Sequence, residues 1–153
     1  MTRQRLQRIK ALGLNVTANS NSEYKLTREI YKQTYRELAD EMATINTPWR
    51  WIIDSGVVAA QSTDNVFAVP MFTLWHSLKR ASEAPGEVLM TPSKAISREE
   101  ALRLHTIDGA RILQWDDEIG SIEPGKFADL VILDTDILNC ELDAIRDRKS
   151  TRL

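Results

Sequence analysis

The run Val57, Val58, Ala59, Ala60 inside "IIDSGVVAAQSTD" constrains this chain more than any other feature. Side chains alternate across a strand, so a strand without polar alternation needs cover on both faces. That is the demand of a parallel strand held between other layers, and polarity returns only at its carboxyl end. The segments around it fit the same plan. Arg3 to Lys10 places Leu6 and Ile9 on one side of a helix that Gly13 stops, and "LNVTANS" follows as a strand. Between Thr27 and Ile45, Ile30, Tyr31, Leu38 and Met42 recur at helical spacing. "TPWRWIIDSG" predicts a short helix with Thr47 as cap, Pro48 in the first turn and Gly56 as the stop.

Farther on, Met71 to Ala81 reads as a helix, and another starts at Ser97 with Glu100 placed to complete a capping box. Thr106, Gly109 and Ala110 lie within that second helix and are small enough to let a neighbouring element approach. "EIGSIEPGKFADLVILD" then reads as a hairpin, with strands at Ile119 to Ile122 and Leu130 to Leu133. Pro124 presets φ at one central position and Gly125 accepts a positive φ at the next, which predicts a type II turn. The second strand is nearly all apolar, so the hairpin is expected to be buried against something larger. Strand, helix, strand, helix, then hairpin is an α/β order, as in a piece of a parallel barrel followed by β structure. Two such strands cannot close a barrel, which takes about eight.

Composition narrows the function classes. A formal net charge of −2 with both signs interspersed gives no basic field for nucleic acid. No apolar run reaches membrane-spanning length, and "MTRQRLQRIKALGL" has charge without the apolar core of a secretory leader. Cys140 is the sole cysteine, which excludes an internal disulfide and fits a cytoplasmic protein.

Taken together, "IIDSGVVAAQSTDNV" and "SREEALRLHTIDGARILQWDDEIGSIEPGKFADLVILD" closely resemble the C-terminal end of the metal-dependent amidohydrolase superfamily, in its amidohydrolase family 3 branch. The resemblance spans about Leu6 to Arg146, and its most specific part is the "T-I-x-G-A" type segment followed at short distance by "G-S-I-E-P-G-K-x-A-D-L-V-I-L-D". It implies a TIM-type (β/α)8 barrel with a small β-sandwich built from both chain ends. "LNVTANS" would be the seventh barrel strand and "GVVAAQSTD" the eighth. Residues 1–118 would be the C-terminal portion of the barrel with its last helices, and 119–146 the returning hairpin of the sandwich. The chemistry implied is hydrolysis of carbon–nitrogen bonds other than peptide links, on small amide, urea-like or N-acyl substrates, with a divalent metal, zinc by expectation. The family's histidine pair on the first strand, its mid-barrel carboxylate or carbamylated lysine and its later histidines are not spelled here. No metal is therefore expected to bind this chain tightly.

Asp64 falls on the family's aspartate at the end of the eighth strand, where it would be both a metal ligand and the general base. It would take a proton from metal-bound water and return one to the departing nitrogen. The local alternative is an Asx-turn within "TDNV". Thr63 and Asn65 flank it and would line the substrate, or simply shape the loop. His76, among Leu74, Trp75 and Leu78, reads as a packed residue, and His105 as a semi-buried one on the stripe of Leu102 and Gly109. Trp49, Trp51, Trp75 and Trp115 read as core anchors, because a base-stacking platform needs a basic groove. Tyr24, Tyr31 and Tyr35 belong to an added helix after the seventh strand that could cover the site.

The chain ends "DRKSTRL", where the family continues with apolar strands. Asp147 to Leu153 also match the translation of a common sequencing-library adapter, so residues 147–153 are expected to be non-native. Two expectations follow. The chain is either the tail of an amidohydrolase, inactive by itself, or a non-catalytic α/β module that kept that tail as a binding or oligomerisation surface.

Overall fold

The computed structural model describes residues 1–19, 33, 47–63, 69–79, 95–146 and 150–152. Helix α1 (Arg3–Ala11) starts under the Thr2 hydroxyl, which accepts from the Arg5 amide. It ends where Gly13, at φ 65°, donates to the Lys10 carbonyl while Leu14 donates to that of Ile9. This pair of reversed bonds is a Schellman motif, and only a left-handed residue after the helix permits it. Strand β1 (Val16–Ala18) follows. Helix α2 (Trp49–Ser55) stops at Gly56, φ 70°, as expected.

Its start differs from the expectation. Pro48 is the cap residue rather than part of the first turn, and Thr47 makes no side-chain capping bond. Thr47 instead stands at φ 42°, and its hydroxyl turns away to donate to the Asn19 carbonyl at 3.3 Å. Lys10 donates to the Ser55 carbonyl at 2.7 Å and so closes the end of α2 against α1.

Strand β2 (Ala59–Gln61) pairs parallel with β1, Val16 opposite Ala59 and Ala18 opposite Gln61. Ala59 and Ala60 point to opposite faces and both are buried, so the strand is covered on two sides as its sequence requires. Helix α3 (Pro70–Lys79) buries seven consecutive residues, Phe72 to Leu78.

Helix α4 (Arg98–His105) opens with the capping box: the Ser97 hydroxyl accepts from the Glu100 amide, and the Glu100 carboxylate from the Ser97 amide. The helix does not run on through Ala110. It breaks at Thr106 (φ −129°, ψ −104°), and α5 (Ile107–Leu113) begins again in a new direction. The Thr106 hydroxyl bonds back to the Leu102 carbonyl at 2.9 Å, a local alternative that competes with helix continuation. The small residues do what small residues allow: a Cβ on Gly109 would lie 4.0 Å from that of Ala60, so α5 sits directly on β2.

The hairpin is corrected. The type II turn is present, with Gly125 at φ 95° and the Lys126 amide bonded to the Glu123 carbonyl at 3.2 Å. Ile119 to Ile122, however, form no strand. Beyond the turn itself, the backbone bond between the two arms among the described residues runs from the Phe127 amide to the Glu118 carbonyl. Strand β3 (Val131–Leu133) pairs antiparallel with β4 (Ser150–Arg152) instead, after the short helix α6 (Leu142–Arg146). Nor is this region buried, because Ile122, Phe127, Val131 and Ile132 are all exposed.

One apolar cluster joins α1, α2, β2, α3, α4 and α6, from Leu6 through Trp49, Ile52 and Trp75 to Leu104 and Ile145. Trp49 and Trp75 are anchors of that core, and Trp51 packs at its margin under the Arg3 guanidinium. Trp115 is corrected: it is exposed, because it falls in the turn after α5. Among the described residues no helix is long and apolar enough to cross a membrane.

Candidate functional site at the carboxyl ends of the parallel strands

Parallel strands bring their carboxyl ends to one rim, and here that rim is tied by polar groups. The ladder runs from the Val16 amide on the Val58 carbonyl (3.0 Å) to the Ser62 amide on the Ala18 carbonyl (2.9 Å). Beyond it the Asn19 side-chain amide donates to the Thr63 carbonyl at 3.3 Å, bridging the two strand exits. The Thr47 hydroxyl reaches the Asn19 carbonyl, so the start of α2 joins the same knot. A residue with a β-branch seldom occupies positive φ, and Thr47 is held there by its neighbours rather than by its own preference.

A second tie comes from α3. Ser77, fully buried, donates to the Thr73 carbonyl at 2.9 Å and lies 3.4 Å from Gln61 Oε1, while Gln61 donates to the Ser62 carbonyl. The Thr73 hydroxyl, also buried, bonds back to Val69 at 3.2 Å. These buried polar groups fix α3 against the last residue of β2.

Thr63 is thus placed on the rim, half-buried, with its carbonyl bonded to Asn19. Asp64 and Asn65 lie outside the described residues, as do Tyr24, Tyr31 and Tyr35. His76 is buried in α3 between Phe72, whose ring stacks at 6.1 Å, and Trp75, tilted at the same distance. It is a packing residue, as expected. His105 is half-buried at the end of α4, and burial pulls its pKa from the ordinary 6.5 to about 4, so its ring is neutral at pH 7. Its Nε2 is enclosed without a hydrogen-bond partner.

Among the described residues no three His, Cys, Asp or Glu side chains converge in a way that could hold a metal ion. Those residues alone therefore do not fit a metal. The rim residues Asn19, Thr47, Gln61 and Ser77 escaped the sequence reading. For Asn19 and Gln61 the signal was the return of polarity at the strand ends, "ANS" for β1 and "QST" for β2; Thr47 and Ser77 carried none.

Comparison with known proteins bears on what such a rim belongs to. Residues 1–152 match the amidohydrolase family. An N-substituted formamide deformylase of Arthrobacter pascens is 28% identical over 148 residues, 95% of this chain and 26% of the relative. A 5'-deoxyadenosine deaminase of Methanobrevibacter smithii is 35% identical over 104 residues, 68% of this chain and 24% of the relative. The chain thus spans about a quarter of the length of these curated relatives. A metal-dependent hydrolase of Pyrococcus horikoshii superposes with a TM-score of 0.69 at 22% identity, over 94% of this chain and 29% of the other, which shows a shared fold.

Proposed function

The chain belongs to the amidohydrolase family, in its family 3 branch, and from that premise we propose that it supplies the seventh and eighth strands of a TIM-type barrel that hydrolyses carbon–nitrogen bonds. The observation that carries this reading is the parallel β1–β2 pair. Two parallel strands make a marginal sheet by themselves, and β1 leaves Thr17 exposed between two half-buried neighbours. Both strands end on the tied rim, and carboxyl ends are where a barrel places its chemistry. Asp64 is the next residue after Thr63.

In the completed site Asp64 carries a proton. As the water oxygen bonds to the substrate carbon, Asp64 takes the proton released; as the carbon–nitrogen bond breaks, it delivers that proton to the leaving nitrogen. Thr63 and Asn65 line the substrate, a small amide, urea-like or N-acyl compound. The deformylase and deaminase likenesses support that class, since both names describe attack on a carbon bonded to nitrogen. In this reading the divalent metal, zinc by family expectation, is held with Asp64 by residues of the rest of the barrel, and the 153-residue chain is expected to be inactive alone.

An assay with N-formyl amines, ureas and adenosine derivatives tests this, using the longest reading frame that contains the chain and the 153-residue chain by itself. The longer protein is expected to turn over one of these classes and to lose at least about a hundredfold in Asp64→Asn. Asp64-dependent turnover by the short chain would end the proposal, and so would an undiminished Asp64→Asn enzyme.

One observation favours a second reading, a non-catalytic module that assembles through β3: that strand is apolar yet exposed. Sedimentation of the 153-residue chain separates the two, since the module would form a defined oligomer.

A further inference from the structure

Helix α1 carries two stripes at helical spacing, and only one of them is answered. Arg3, Leu6, Gln7 and Lys10 face α2: Lys10 donates to the Ser55 carbonyl at 2.7 Å, the Arg3 guanidinium lies 5.2 Å from the centre of the Trp51 ring, and Leu6 is buried. Met1, Arg5, Arg8, Ile9 and Leu12 form the other stripe and line an open cleft of about 330 Å³. Leu12 is 60% exposed, and among the described residues neither the Arg5 nor the Arg8 guanidinium has a hydrogen bond or an ion pair. The start of the helix sharpens the imbalance. Thr2 caps it and Arg5 stands third after the cap, the place where Glu100 completes the box begun by Ser97 in α4. No acidic residue lies in the first turn, so Arg5 adds its charge to the positive end of the helix dipole.

Building on the barrel reading above, we propose that the Arg5–Leu12 stripe is a docking face for an acidic amphipathic helix of the same polypeptide, one that lies outside these 153 residues and sets Asp or Glu side chains against Arg5 and Arg8. In an outer ring of helices each member has a neighbour on either flank, and α2 fills only one of the two places beside α1. The chain spans about a quarter of the length of its curated relatives, so the rest of such a protein has helices to offer. Charge selects among them. Ile9 and Leu12 give the visitor an apolar seam, while two unanswered guanidiniums favour carboxylates beside it and oppose lysine or arginine. The same argument disfavours a second copy of α1, because stripe on stripe sets Arg5 and Arg8 against their own kind.

The test uses the longest reading frame that contains the chain, carrying Arg5→Lys and Arg8→Lys, which keep the charge and offer an amine. A carbodiimide joins such an amine to a carboxylate in contact with it, and mass spectrometry locates the link; mixing ordinary with isotope-labelled protein tells links within one molecule from links between two. Expected is a link within one molecule, from either position to an Asp or Glu outside the 153 residues, in a segment whose apolar residues recur at helical spacing. Arg5→Glu together with Arg8→Glu is expected to lower the thermal midpoint by about 3 °C or more, and exchanging the linked carboxylate for lysine in that variant to restore at least about half of the loss. Arg8→Glu alone replaces the pair should the pair not fold. A link to a residue of this chain, a link between two molecules, no link, an unmoved midpoint or a swap that restores nothing overturns the inference. Turnover by Asp64→Asn, measured on the same protein, is read separately: an undiminished enzyme removes the hydrolase reading and leaves the docking face to be decided by the link. A reading frame that adds no residues removes both.

Discussion

Ala59 and Ala60 of β2 and Val131 and Ile132 of β3 are both adjacent apolar pairs in three-residue strands, and they meet opposite fates. The first pair is 3% and 8% exposed, the second 56% and 57%. The difference lies in what arrives to cover them. Beside β2 stand α4 and α5, and Gly109 lets α5 come close. Among the described residues β3 is paired by the backbone of β4 and packs Leu133 on the core, and this leaves Val131 and Ile132 bare. Hydrogen bonds along a strand edge do not bury a face, and a fully covered large apolar side chain contributes about 1.5–3 kcal/mol that β3 forgoes. Apolar sequence therefore states a need for cover; topology decides whether the need is met.

The largest effect is expected on the covered side of this contrast. Trp75 is nearly fully buried, donates from Nε1 to the Asp143 carboxylate at 2.9 Å, and lies under both the Lys79 ammonium and the Arg146 guanidinium. Lys79 is also bonded to Asp143, so α6 is fastened to α3 through this one ring and its charged partners. These contacts hold the Asp143 carboxyl below the usual carboxylate range, first through Lys79 and then through Trp75. Trp75→Ala opens a cavity and unfastens α6 together, and should lower unfolding free energy by about 3–5 kcal/mol in urea titration.

The next effect depends on pH. His105 has its pKa lowered by burial to about 4, against 6.5 in the unfolded chain, so the unfolded state takes up a proton that the folded state refuses. Stability is whole above pH 6.5 and falls as pH drops from there toward 4, by at most about 3 kcal/mol. His105→Gln should flatten that part of the stability profile, and an unchanged slope would show that the ring is hydrated. Smaller again is the effect expected where the covered and bare regions join. Gly120 stands at φ 92°, and an added Cβ would meet the Ala110 Cβ at 2.7 Å and the Ile107 backbone at 3.0 Å. Gly120→Ala should lower stability by about 1–3 kcal/mol, read as a lower midpoint in thermal unfolding.

Sequence was most informative where the deciding chemistry is local. The Ser97–Glu100 box, the Gly56 stop and the Pro124–Gly125 turn each need residues within a few positions, and each stands in the structure. The parallel character of β2 was legible too, because burial on both faces leaves its mark on every residue. Partners distant in the chain left no such mark. Nothing near Val131 names Arg152 as its neighbour, and nothing in "ANS" says that Asn19 will reach Thr63, 44 positions away. At the candidate site, Thr63 was therefore found by its nearness to Asp64, while the asparagine that holds it was not. Thr106 and Gly109 show a third case, in which small size correctly signalled the close approach of Gly109 to Ala60 but not the non-helical backbone at Thr106 that divides the helix.

The smallest expected effect sharpens the contrast most. Ile122 sits beside the turn and is 87% exposed, although its neighbours are firmly placed: Lys126 bonds to the Ser121 hydroxyl at 2.7 Å and to the Asp116 carbonyl. A well-made turn can thus display a large apolar side chain that contributes nothing to holding it. Ile122→Ser should change the unfolding free energy of this chain by no more than about 0.5 kcal/mol. If the same substitution in the longest reading frame that contains the chain lowers stability by about 1.5–3 kcal/mol, the turn and β3 are covered by residues outside these 153. Equal, negligible effects in both would mean instead that this face is bare in the proposed barrel as well, and the apolar run in "DLVILD" would then need a reason other than packing.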